Sequence, residues 1–252
     1  MSPIRFLLMV FAASILLPAA ASAHMVWINA SNFAPDAGQE VYVRIGWGHE
    51  YPRDQMVNPN MVKEIKVLGP EGDQMQTRRI FPDVLRFTPK SKGTYRVIVQ
   101  IQPGFVSKTP TGHKLGNKKE LDNAVTCFRH NMTAKAVIQS GASEATGNGQ
   151  DGLALQLVPL KDPSELDPGD KLPVRALFQG EPQSGVTVKS TSRGHDGEWV
   201  SEKKTNQKGI ARFEVDGEGA WMFRAEYRKP YPEQSVCDQY FYTSALNVSF
   251  QE

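Results

Sequence analysis

The chain has 252 residues, with 29 Lys and Arg against 27 Asp and Glu; this near-neutral balance supplies no general attraction to nucleic acid or another polyanion. Hydrophobic residues at 40% and charged residues at 22% sit near globular averages, which excludes a disordered tail and a multispanning membrane protein. The 21 glycines and 17 prolines are spread along the chain, the punctuation of many short strands joined by turns.

Met1 to Arg5 is a short, singly basic start, and Phe6 to Leu17 is an apolar run that stops at Pro18. That run is too short to span a bilayer, which needs roughly 20 apolar residues. Ala21-Ser22-Ala23 offers the small residues that signal peptidase accepts. Residues 1–23 therefore read as a removable export signal, cut before His24. The mature chain would begin His24-Met25-Val26-Trp27 and would not insert in a membrane.

Alternation marks the first strands. Val26 and Ile28 share one face, and so do Val41, Val43, Ile45 and Trp47 of the next segment. Val62, Ile65 and Val67 lead into Leu68-Gly69-Pro70-Glu71-Gly72-Asp73, a run of turn residues. Thr94 to Ile101 is a further strand, closed by Pro103-Gly104. Leu121 to Ile138 has two readings. As a helix it aligns Leu121, Val125, Phe128, Met132 and Ala136; as a strand it aligns Phe128, His130, Met132, Ala134, Ala136 and Ile138. The β-branched Thr133, Val137 and Ile138 favour the strand, which puts His130 on the buried face.

Residues 140–152 (SGASEATGNGQDG) hold no large apolar residue and read as a linker. Six segments, Leu153–Pro159, Leu172–Phe178, Gly185–Val188, Gly209–Val215, Trp221–Tyr227 and Tyr240–Phe250, mark a second half of about seven strands, with a turn at Asp167-Pro168-Gly169-Asp170. The expectation is an all-β chain of two β-sandwich domains, residues 24–139 and 153–252, the second immunoglobulin-like or transthyretin-like. Cys127 and Cys237 are the only cysteines. In an oxidising compartment such a pair is a candidate disulfide; the alternative is two small residues in separate strands.

A histidine at a mature N-terminus is a chelator in its own right, because its α-amine and imidazole Nδ1 can close one ring on a single metal ion. Both groups lose their protons to a metal near neutral pH, and such nitrogen donors suit nickel, copper and zinc. In Gly46-Trp47-Gly48-His49-Glu50-Tyr51-Pro52, His49 continues the parity of Val41, Val43 and Ile45, and the two glycines allow close approach of a ligand or the chain terminus. His24 falls by parity on the face of Val26 and Ile28, so the two imidazoles can converge. His113, in the turn-rich Thr109 to Gly116, and His130 are further candidate donors. His195 reads as a hairpin-tip residue. His-Glu-x-x-His, Cys-x-x-Cys, Gly-x-Ser-x-Gly and phosphate-cradling glycine loops are all missing from the sequence. Trp27, Trp47, Trp199 and Trp221 fit core packing better than a carbohydrate platform.

The run Ala23-His24-Met25-Val26-Trp27, followed by Gly46 to Pro52, resembles the NikK-like or NikM-like exported accessory components of nickel and cobalt uptake transporters. Leu157 to Leu160, Asp167 to Asp170, Val174 to Gly180, Gly209 to Phe213 and Gly219-Ala220-Trp221 are similar as well. The resemblance implies a periplasmic protein that binds nickel and partners a membrane transporter, with His24 and then His49 as ligands. The expected function is therefore non-enzymatic capture and delivery of a divalent transition metal. A structural or adhesive two-sandwich protein is the competing expectation, and a copper monooxygenase built on the same histidines ranks third.

Overall fold

The computed structural model describes residues 24–53, 55–141, 151–195 and 197–250; the expected signal segment and residues 142–150 of the expected linker lie outside the described residues. The first half forms β1 (Met25–Ala30), β2 (Val41–Gly48), β3 (Gln55–Met56), β4 (Val62–Leu68), β5 (Arg78–Phe81), β6 (Val84–Phe87), β7 (Gly93–Ile101), β8 (Gly104–Thr109), β9 (Gly112–Leu115) and β10 (Thr126–Ser140). The second half forms β11 (Leu155–Pro159), β12 (Lys171–Phe178), β13 (Glu181–Pro182), β14 (Thr187–Ser192), β15 (Ser201–Lys204), β16 (Ile210–Glu214), β17 (Gly219–Pro230) and β18 (Gln239–Phe250). The described residues outside these strands form turns, loops and three single-turn 3-10 segments. The chain is an all-β sandwich.

The strands stack in three layers. One outer sheet runs β1-β2-β6-β5 with β3 beside β2, and the other runs β11-β12-β13 with β16 beside β12. Between them lies a nine-stranded sheet, β15-β14-β17-β18-β10-β7-β4, extended by β8 and β9. It draws strands from both halves. They meet where β10 and β18 pair in parallel, from Phe128 with Gln239 to Ala136 with Asn247.

Period-2 alternation in the central strands feeds two cores at once. Met132, Ala134, Ala136 and Ile138 of β10 pack with Trp27, Ile28, Val41, Val43 and Ile45 of the first outer sheet. Trp221, Phe223 and Ala225 of β17 and Leu246, Val248 and Phe250 of β18 pack with Leu157, Leu172, Val174 and Phe213 of the second. Trp27, Trp47 and Trp221 are buried, and Trp199 is partly buried against the first core, so the tryptophans serve packing. The strand reading of residues 126–138 also holds: His130 is buried on the face of Met132 and Ala134.

One tie joins the two halves, and a second anchors the segment between them to the first half. Cys127 and Cys237 form a disulfide with a Cα–Cα separation of 4.9 Å, inside the range such bridges need. It pins the loop after β17 to the start of β10, and Lys119 adds an ion pair to Glu233 at 2.6 Å. The second tie is buried. Asp151, inside the expected linker, accepts from Arg96 Nε of β7 at 2.9 Å and from Lys135 Nζ of β10 at 2.8 Å, and its side chain is 0% exposed.

Candidate metal centre

β1 and β2 form an antiparallel pair whose register ends at Met25 with Gly48. One step further places His24 opposite His49. The imidazole centroids lie 4.3 Å apart with planes inclined by 40°, and both residues are exposed. Two imidazoles bound to one metal through nitrogens at about 2.0–2.1 Å have centroids on the order of 4–6 Å apart, depending on the angle at the metal. The observed separation falls inside that span.

Two glycines hold this geometry. A Cβ on Gly46 would lie 2.1 Å from the Trp27 indole, so only glycine lets β1 lay that ring flat on β2. The close approach expected at Gly46 is thus made by a core tryptophan. Gly48 has φ 134°, a backbone state that favours glycine, and it turns the chain so that His49 leaves the strand at its rim. On the other flank of the pair, the Trp47 ring stacks on His24 with centroids 5.3 Å apart and planes within 9°.

The loop after His49 folds back along β1. Asn29 Nδ2 donates to the Pro52 carbonyl at 3.1 Å, and Tyr51 meets Trp27 edge-on at 6.1 Å. Burial pushes the Tyr51 phenol up to about 12, against the opposing pull of Arg193. Gly197 lies against Glu50; a Cβ there would meet Glu50 Cβ at 3.3 Å. A segment of the second half therefore abuts Glu50, the residue after His49. Tyr51 and Glu50 sit in the same short motif as His49 and were open to notice. Arg193 and Gly197 are more than 140 residues away, and nothing local in the sequence brings them here.

The other histidines fall elsewhere in the fold. His113 is exposed on β9, opposite Lys108 of β8. His130 pairs with Gly104 of β8 and Phe241 of β18. Its Nδ1 has no hydrogen-bond partner, and burial, helped by Arg129, pushes its pKa down. His195 shares a 2.6 Å hydrogen bond with the Ser192 hydroxyl. Among the described residues, no three His, Cys, Asp or Glu side chains form a group that could hold a metal. Of the four expected ligands, the structure pairs His24 with His49 and adds neither His113 nor His130. Among the described residues no third His, Cys, Asp or Glu joins the pair, and cleavage before His24 would add its α-amine as a backbone donor.

No helix among the described residues is long and apolar enough to cross a membrane. No curated protein matches the chain. Among solved structures, the fibronectin(III)-like modules of Clostridium thermocellum CbhA align over 90% of this chain and 95% of theirs, at 10% identity and a TM-score of 0.22. The BSP domain of a biofilm associated protein aligns over 90% of this chain and 30% of its own, at 12% identity and a TM-score of 0.23. A segment of Escherichia coli alpha-2-macroglobulin aligns over 79% and 93%, at 10% identity and a TM-score of 0.22. Scores this low carry no argument about fold or function. The sequence itself places the chain: across residues 21–229 it matches, and so belongs to, the family described as a domain of unknown function, DUF4198.

Proposed function

We propose that the mature protein, processed before His24, is a non-enzymatic periplasmic binding protein for a divalent transition metal, with nickel the first candidate and cobalt, copper and zinc the alternatives. The metal is cargo, gripped by the His24 amine and imidazole and by the His49 imidazole, and passed to a membrane transporter. The observation that carries this reading is the His24–His49 ring pair, 4.3 Å between centroids at the open end of β1 and β2. The donor chemistry agrees, since a primary amine and two neutral imidazoles are nitrogen ligands that first-row divalent ions of this group accept. The rim position supports exchange, because a cargo site must release its ion.

Calorimetry with nickel, cobalt, copper and zinc tests this reading on protein whose first residue is confirmed as His24 by mass spectrometry. The same titration is run on a variant with one extra residue before His24, which blocks the amine while leaving both rings. Nickel binding that is lost or strongly weakened in the extended variant supports the terminal chelate. Equal binding by both proteins removes it, and no binding of any metal leaves a structural two-core scaffold.

A further inference from the structure

The central sheet runs on past the edge of the second outer sheet. β12 ends at Phe178, where Gln179 adopts φ 53° and the chain turns away. Beyond that edge, the face of the central sheet that carries the second core stays uncovered over the last turns of β17 and the start of β18. Tyr240 and Tyr242 lie there, on the same side as Leu246 and Val248. In register, Tyr240 is flanked by Arg129 of β10 and Lys229 of β17, and Tyr242 by Asn131 and Tyr227.

One aromatic row therefore carries a cation on each side. The tyrosine rings stack 5.7 Å apart within 30°, Tyr242 meets Phe178 at 5.0 Å, and Tyr231 packs on Tyr240 at 4.8 Å. A cleft of about 410 Å³ opens over them, walled by Pro103, Pro230 and Pro232, and among the described residues no acidic side chain lines it. The disulfide and the Lys119–Glu233 pair hold the loop that carries Tyr231 and Pro232, so the cleft is built before any ligand arrives.

We propose that this cleft binds an acidic sugar, a short uronate-bearing oligosaccharide. Flat pyranose faces, rich in C–H groups, suit half-buried tyrosine rings, and the tyrosine hydroxyls can meet sugar hydroxyls. The carboxylate suits the cation pair: Arg129 offers a planar fork of donors and Lys229 a mobile point charge. The near-neutral charge of the whole chain is compatible with this, because the selectivity is local to one row of residues. The site is independent of the histidine pair, and its test is run with chelator present, so either reading can fail without the other.

The experiment is calorimetric titration of the full mature chain in EDTA with a short oligogalacturonate, a neutral maltooligosaccharide of equal length and a short single-stranded oligonucleotide. The acidic sugar is expected to bind at least about tenfold more tightly than the neutral one, a difference of about 1.4 kcal/mol. Arg129→Gln with Lys229→Gln should abolish that preference. Tyr240→Ala should weaken binding about tenfold, while Tyr240→Phe, which keeps the ring and serves as the folding control, should stay within about threefold of the parent. Equal binding of acidic and neutral sugars, tighter binding of the oligonucleotide, indifference to Tyr240→Ala, or no binding of the oligogalacturonate each overturns the proposal.

Discussion

Asp151→Asn is the sharpest test of how the segment between the halves is anchored to the first half. The carboxylate is fully buried and bonds Arg96 at 2.9 Å and Lys135 at 2.8 Å, both cations being at least nine-tenths buried themselves. Neutralising it leaves two buried positive charges facing one amide. Removing one partner of a buried ion pair costs about 3–5 kcal/mol, and for a chain of this size each kcal/mol lowers the midpoint by about 2–4 °C. The variant should therefore melt roughly 6–20 °C below the parent, read by circular dichroism beside urea unfolding. Lys135 sharpens the expectation. Burial pushes its pKa down even with Asp151 opposing the shift, so between that lowered value and its ordinary one the unfolded chain binds more protons, and stability rises with pH. Asp151→Asn removes the opposing charge and should widen the pH window of this rise, extending it to lower pH. Replacing all three residues by apolar ones of similar volume should recover most of the loss. A cost below about 1 kcal/mol for Asp151→Asn would show that the triad does not carry the stability argued for it.

Three further outcomes are expected. Converting both Cys127 and Cys237 to Ser releases a bridge spanning 110 residues and should cost about 2–4 kcal/mol in urea unfolding; a loss within error would show that the loop is held by its ion pairs and hydrogen bonds alone. His130 has a folded pKa below its ordinary value, so the unfolded chain takes up the proton first and stability falls as pH drops through about 6.5. His130→Gln should flatten that acid limb, and an unchanged slope would assign it to other groups. Gly46→Ala puts a Cβ 2.1 Å from the Trp27 ring. It should cost about 1–3 kcal/mol or more and weaken nickel binding in parallel by displacing β1; full stability would mean the ring is free to move.

Much of the architecture was legible because half-buried strands write their burial with period 2. Val41, Val43 and Ile45 alternate with exposed Tyr42 and Arg44, as the sequence reading expected. The parallel join of β10 to β18 was not, since its paired residues stand 111 positions apart and no local pattern encodes a partner at that distance. Lys135 did leave a trace, as a charge inside the run Ala134 to Ile138, but its counterion lay in a stretch that reads as polar linker. At the candidate site, parity alone put His24 and His49 on matching faces of their segments; the register of β1 on β2 that sets them opposite each other was not written in the alternation. The contribution of Arg193 and Gly197 depends on how the second half docks, which composition and spacing do not reveal.

The account stands or falls on whether one metal ion is held by both rings and the terminal amine. X-ray absorption on nickel-loaded protein that begins at His24 reads this directly through the multiple scattering of imidazole. Two imidazoles with at least one further nitrogen are expected for the parent, and one imidazole for His49→Gln. A spectrum with a single imidazole in the parent, or one that His49→Gln leaves unchanged, would contradict it.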